Sequence, residues 1–162
     1  MAYFDPGSVI WELESTDKFD AIREVISRAE IFSEHPGLDL DAFAEKVVER
    51  ERLQTTGFGH GVAVAHGRTD QVSSPTIALG VSRAGIEFDS VDGKPVHLLF
   101  IVANHPNDAV DYLHILSTLV GMVRDEMFRR EILTCNHGSD VQQKLCDVFA
   151  NLLKQNRLKY AC

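Results

Sequence analysis

The stretch HLLFIVAN, residues 97–104, decides the predicted fold. It is a nearly continuous apolar run, which is typical of a central strand that is buried on both faces. Two further runs, TIALGVS at Thr76–Ser82 and VAVAH at Val62–His66, are short, apolar and β-prone, so we interpret both as strands. The connection between Thr76–Ser82 and His97–Asn104 contains no helical pattern. We therefore expect a mixed sheet, with antiparallel as well as parallel pairs.

Segments with helical spacing surround these strands in the sequence. The first runs from Phe19 to Ala29, and a second begins at Asp39. Later helices are predicted from near Asp108, from Asp125 to Leu133, and from Asp140 onward. In the helix near Asp108, the residues predicted to share the buried face are Leu113, Leu116, Val120 and Val123. The pattern predicts an α/β fold in which a mixed β-sheet is flanked by helices on both sides.

Composition and charge limit the classes of protein to which the chain belongs. Its 162 residues indicate a single domain, residues 1–162. The composition, with 44% hydrophobic and 25% charged residues, is ordinary for a globular protein. A net charge of -8 argues against a nucleic-acid partner. A membrane-spanning helix needs an apolar run of about 18 residues or more, and the sequence contains none. The N-terminal residues do not resemble an export signal. We expect a cytoplasmic protein that does not insert into membranes.

Several common catalytic motifs are absent from the sequence. The seven histidines form no HExxH motif, so no metal site is predicted. The glycine-rich run Gly57–Gly61 has no GKS or GKT ending and precedes a predicted strand, which argues against a P-loop and a dinucleotide loop. No GxSxG motif occurs, which argues against a serine hydrolase. We expect no cofactor.

His66 is the candidate nucleophile. It ends an apolar strand and should therefore lie where that strand reaches the protein surface. An imidazole with an ordinary pKa of ~6.5 is a good nitrogen nucleophile at neutral pH. The next residue, Gly67, lets another backbone come close, and Arg68 offers a planar cation suited to phosphate oxygens. These residues alone leave a purely structural histidine open as the alternative.

The motifs around His66 resemble a known family. RERL at Arg50–Leu53, followed by GFGHGVAVAHGR at Gly57–Arg68, is similar to the sequence signature of mannitol/fructose-type enzyme IIA domains of the bacterial phosphotransferase system. The nitrogen-regulatory IIA proteins belong to the same family. The resemblance covers roughly Asp17 to Leu153. Further matches follow in order at Ile86–Val96, Leu98–Phe100 and Leu113–Ser117.

This resemblance implies an activity and partners. It implies a phosphotransferase with a phosphohistidine intermediate, which takes phosphate from the phosphocarrier protein HPr or from its nitrogen-branch counterpart. The phosphate then passes to a cysteine of a IIB domain. Alternatively, the phosphorylation state switches the binding of a regulated target protein. Both roles, sugar transport and nitrogen regulation, are open at this point.

The resemblance also assigns site residues by position. His66 matches the phosphorylated histidine, His114 matches a second active-site histidine, and Arg50 matches the arginine of the RE-x-L helix end. We expect His114 and Arg50 to lie close to His66, because a phosphate dianion needs hydrogen-bond donors from elsewhere in the fold. The residues expected to contact the phosphate or the partner are Arg68, His60 and Gly67.

Ala65 departs from the family pattern, which usually has proline before the active histidine. Proline would fix the φ angle and remove a hydrogen-bond donor. We expect the alanine to adopt the backbone conformation that proline would impose, because Gly61, Gly67 and Arg68 surround it as the motif requires. An Ala65→Pro exchange should then be tolerated.

Overall fold

A computed structural model describes residues 4–159 and shows one five-stranded sheet in them. Its strands are β1 (Val9–Trp11), β2 (Gly57–Gly59), β3 (Val62–Arg68), β4 (Thr76–Ile86) and β5 (Val96–Asn104). They lie in the order β1-β4-β5-β3-β2. β1 is parallel to β4 and β3 to β5, whereas β4 is antiparallel to β5 and β2 to β3. The predicted mixed sheet is confirmed, and the three predicted strands are its central members.

The described chain also forms six α-helices. They are α1 (Lys18–Arg28), α2 (Glu30–Ser33), α3 (Leu40–Leu53), α4 (Ala109–Val123), α5 (Glu126–Thr134) and α6 (Gly138–Lys159). α1, α3 and α5 each follow an aspartate whose carboxylate accepts hydrogen bonds from amides of the first turn, which stabilises a helix start. These caps are Asp17, Asp39 and Asp125. Across residues 4–159, no helix has the length and apolar character of a membrane span.

The helices cover the sheet on both faces, as predicted. The core beneath α1, α2 and α3 includes Ala63 and Ala65 of β3. The core beneath α4, α5 and α6 includes Val62 and Val64 of the same strand. Successive side chains of a strand point to opposite sides, so an apolar strand of this kind needs a cover on each face. β5 lies at the centre of the sheet and is buried along nearly its whole length.

Three details differ from the predicted pattern. The first helix ends at Arg28, because the backbone of Ala29 is extended, with a ψ of 116°, before the short helix α2. α6 begins at Gly138 instead of Asp140. Leu113, predicted to be buried, is 62% exposed. The buried face of α4 is rotated from the predicted one and consists of Ile115, Thr118, Leu119, Met122 and Val123.

Candidate active site

His66 lies near the C-terminal end of β3, on the face of the sheet that α4, α5 and α6 cover. The parallel register places His66 opposite Val102 of β5 and Arg68 opposite Asn104. Because side chains alternate along a strand, His66 and Arg68 point to the same side as the buried Val64. His66 is half-buried and Arg68 is exposed. The site is therefore at the rim of the core, where this face of β3 meets solvent.

The imidazole of His66 contacts the phenol ring of Tyr112. The ring centroids are 4.9 Å apart and the ring planes are inclined by 41°. Tyr112 lies in the first turn of α4 and is partly buried against the core of this face. The start of α4 thus packs beside the strand that carries His66, as the sequence predicted.

One ring nitrogen of His66, Nδ1, is enclosed by the protein. Nδ1 is buried and has no hydrogen-bond partner. Asn104 Oδ1, on the neighbouring strand and on the same side of the sheet, is also buried and unpaired. A reactant cannot approach a buried atom without displacing its neighbours, so Nδ1 is closed to an incoming group.

Burial and two cations set the charge state of His66. Burial is the main reason that its pKa falls from 6.5 to about 4, and the positive charges of Arg50 and Arg68 lower it further. Burial raises the pKa of Tyr112 above its ordinary value, while the same two arginines act in the opposite direction. At neutral pH, His66 is therefore a neutral imidazole and Tyr112 keeps its proton. The rings of His66 and Tyr112 thus lie in a site to which Arg50 and Arg68 contribute positive charge.

Arg50 reaches the site from the last turn of α3. Its Nη1 donates a 3.0 Å hydrogen bond to the carbonyl of Gln54, which lies just beyond the helix end. The guanidinium has five N–H donors, so one bond to the backbone leaves others available for a phosphate. The predicted convergence of Arg50 and Arg68 on His66 is supported by their shared effect on the charge of the imidazole.

Gly67 serves the packing of α3. It is buried, and it lies on the opposite face of β3 from His66. A Cβ at this position would lie 2.9 Å from side-chain atoms of both Phe43 and Val47. The close neighbours that glycine permits here are thus side chains of α3, which corrects the expectation that Gly67 admits another backbone. A contact of its own backbone with phosphate stays a prediction.

His60 lies away from His66, which argues against its expected contact with a phosphate there, while a contact of His60 with the partner protein stays a prediction. His60 occupies the turn between β2 and β3 with a φ of 59°, and the Gly57–Gly61 run is partly strand. Val62 and His66 are four residue steps apart along β3, about 13 Å at ~3.3 Å per residue, and His60 lies beyond Val62. It lines a separate cavity with Lys94, His97 and Arg129.

Within residues 4–159, no cluster of three or more His, Cys, Asp or Glu side chains is placed to hold a metal.

His114 lies on α4 two residues after Tyr112 and is half-buried. Successive residues of an α-helix are rotated by ~100°, so the two side chains leave the helix roughly 200° apart. Tyr112 makes the ring contact with His66, and the expected closeness of His114 stays a prediction. No sequence motif indicated Tyr112, although it falls at helical spacing with the buried residues Ile115 and Leu119.

Comparisons with known proteins show the family of the chain. Residues 2–147 match the family model described as "Phosphoenolpyruvate-dependent sugar phosphotransferase system, EIIA 2". The chain is 39% identical over 110 residues to the PTS system fructose-specific EIIA component of Haloferax volcanii, an alignment that covers 68% of this chain and 71% of that protein.

Solved structures have the same fold. The nitrogen regulatory protein IIA-Ntr from Neisseria meningitidis superposes with a TM-score of 0.79 at 30% identity, covering 87% of this chain and 94% of that chain. Enzyme IIAMTL, in its complex with phosphorylated enzyme IIBMTL from Escherichia coli, superposes with a TM-score of 0.68 at 18% identity, over 90% and 95% of the two chains. The chain therefore belongs to the EIIA type 2 family of the phosphoenolpyruvate-dependent sugar phosphotransferase system, whose members are phosphotransferases with phosphohistidine intermediates.

Proposed function

We propose that His66 carries the phosphoryl group and that Nε2 is the nitrogen that binds it. The observation that carries the proposal is a neutral, half-buried imidazole whose Nδ1 is enclosed and whose neighbours include two cationic side chains. Phosphoryl transfer requires mainly positioning and neutralisation of charge, and these features supply both. Arg50 and Arg68 are the proposed phosphate contacts, because guanidinium groups match phosphate oxygens.

The proposed reaction moves one phosphoryl group between nitrogen atoms and then onward. The proton of His66 stays on Nδ1, which leaves the Nε2 lone pair to attack the phosphorus of a phosphohistidine donor. The N–P bond of the donor breaks, and its electron pair returns to the donor imidazole. In the second step a cysteine thiolate attacks the same phosphorus, and the electron pair of the Nε2–P bond returns to His66.

The proposed donor is HPr or its nitrogen-branch homologue, and the proposed acceptor is the cysteine of a IIB domain. EIIA domains pair with IIB domains, as IIAMTL does in its complex with IIBMTL. Such carrier proteins meet in the cytoplasm, which is the proposed location. A second candidate role is a regulator whose partner choice depends on phosphorylation of His66. The similarity to IIA-Ntr from Neisseria meningitidis, at 30% identity over most of both chains, favours this candidate.

The test is phosphorylation in a defined mixture. The full chain is incubated with labelled phosphoenolpyruvate and the general phosphotransfer proteins of each branch, with each branch in a separate reaction. We expect acid-labile, base-stable label on wild type, none on His66→Ala, and full labelling of the control His137→Ala, an exposed histidine before α6. Labelling of His66→Ala at the wild-type level would overturn the proposal. His114→Ala in the same assay measures the part that the family resemblance assigns to His114.

A further inference from the structure

We infer that Tyr112 is a further catalytic residue, whose hydroxyl donates a hydrogen bond to an oxygen of the phosphoryl group on His66 while its ring holds the imidazole in place. This inference rests on the proposed phosphorylation of His66. It concerns a residue of this chain that neither the family motifs nor the comparisons point to.

The first support is position. The phenol ring lies 4.9 Å from the imidazole, centroid to centroid, at an inclination of 41°. Tilted aromatic pairs at this separation are favourable, so the contact restricts rotation of the imidazole about its side-chain bonds. A fixed ring plane fixes the direction in which Nε2 presents its lone pair, and alignment of the attacking atom is a main requirement of transfer.

The second support is the anchoring of Tyr112 itself. The residue is partly buried on α4, packed against the same core to which Ile115 and Leu119 belong. A partly buried tyrosine packs its apolar ring against the core and keeps its hydroxyl available for a hydrogen-bond partner at the exposed end. A phosphoryl oxygen at the mouth of the site would be such a partner.

The third support is charge. Arg50 and Arg68 act on the phenol of Tyr112 as well as on His66, so both rings lie near the same two cations. A phosphate bound there would have three oxygens to satisfy, and the two guanidinium groups approach from α3 and β3. Tyr112 adds a donor from α4, a third direction. A tyrosine hydroxyl has an ordinary pKa of 10.0, which burial raises further, so it is a neutral donor at physiological pH.

Tyr112→Phe is the decisive variant, because it keeps the ring and removes only the O–H. Transfer to and from His66 should fall about ten- to a hundred-fold, the usual effect of losing one hydrogen bond to a charged group. The melting temperature should stay at the wild-type value. Ser117→Ala, an exposed position on the same helix, is the matched control and should transfer at the wild-type rate.

A second measurement uses the unaltered protein. The Cζ nucleus of a tyrosine reports hydrogen bonding of its hydroxyl, so the Tyr112 Cζ signal should shift when wild type is phosphorylated by phosphoenolpyruvate and the general phosphotransfer proteins. An unshifted signal, or equal rates for Tyr112→Phe and wild type, would overturn the inference while leaving phosphorylation of His66 intact. If wild type itself takes up no label, the proposed function fails, and this inference fails with it.

Discussion

The carboxylate of Glu51 accepts a 2.6 Å hydrogen bond from the hydroxyl of Thr56, five residues further along the chain. Glu51 also accepts a hydrogen bond from the Thr56 amide and pairs with Lys18 at 3.5 Å, although it is only 1% exposed. Its neighbour Arg50 leaves the same helix end toward the site. One residue of the RE-x-L motif thus fixes the backbone from which the other extends toward His66.

Glu51→Ala should destabilise the fold by about 3 kcal/mol, because it removes the acceptor of the Thr56 amide and hydroxyl and the buried partner of Lys18. Lys18 keeps its 3.4 Å ion pair with the exposed Asp89. Chemical denaturation followed by circular dichroism measures the change in free energy of unfolding. The control is Glu49→Ala, an exposed acid on the same helix, which should change stability by less than about 0.5 kcal/mol. Equal stabilities of the two variants would show that the Glu51 network contributes nothing.

Arg50→Ala should raise the pKa of His66 from about 4 toward its ordinary value of 6.5, because one of the two cations that oppose protonation is lost. The rise should be partial, since burial is the larger cause. An NMR titration of the His66 ring protons measures it. The control is Arg52→Ala, which removes a charge from the same helix at a residue that lies over the Phe19 ring. It should leave the pKa of His66 unchanged. An unchanged His66 pKa in Arg50→Ala would remove Arg50 from the site.

The stability of the protein should fall as the pH decreases from 6.5 to 4. In this interval the unfolded chain binds a proton at residue 66 that the folded chain does not bind, so acid favours unfolding. A pKa lowered from 6.5 to about 4 corresponds to at most about 3 kcal/mol, reduced by solvent screening at the mouth. Urea denaturation at both pH values compares wild type with His66→Asn. The decrease in free energy of unfolding from pH 6.5 to pH 4 should be smaller in the variant than in wild type. Equal decreases in the two proteins would contradict the lowered pKa of His66.

Gly67→Ala should destabilise the protein by about 1–3 kcal/mol, the usual effect of overpacking. The added methyl group would lie 2.9 Å from side-chain atoms of Phe43 and Val47, so α3 would have to move. The melting temperature reports the change. Gly121→Ala on α4 is the control, because its new methyl group would meet nothing within 4 Å and alanine favours a helix. If both variants melt together, the space beside Gly67 is larger than the structure shows.

Ala65→Pro should lower the free energy of unfolding by about 1 kcal/mol, the contribution of one hydrogen bond. In the parallel register of β3 and β5, the Leu98 amide donates to the Gly61 carbonyl and the Thr69 amide donates to the Asn104 carbonyl. Because hydrogen bonds alternate along such a pair, the Ala65 amide points toward β5. Proline has no amide hydrogen, so the exchange removes a bond between two central strands. This replaces the expectation that the exchange is simply tolerated. The reference is wild type, and a Pro variant as stable as wild type would contradict the register.

Local patterns were sufficient for much of the fold. The apolar run HLLFIVAN predicted the central strand, and Asp39 and Asp125 marked two helix starts, because side-chain alternation and capping involve only neighbouring residues. The break at Ala29 carried no such signal, since it depends on how α2 packs on the sheet.

The sequence by itself determined which segments form the sheet and its helical cover, and it pointed to His66 at the end of an apolar strand. Only the tertiary structure decided which side chains meet that histidine. His60 lies six positions away in sequence but at the other end of the strand, and Tyr112, which no sequence motif indicated, contacts His66. The physical reason is that helix rotation is set by packing against the sheet. A change of ~100° per residue exchanges the side chain that faces the site, and no local pattern fixes that angle.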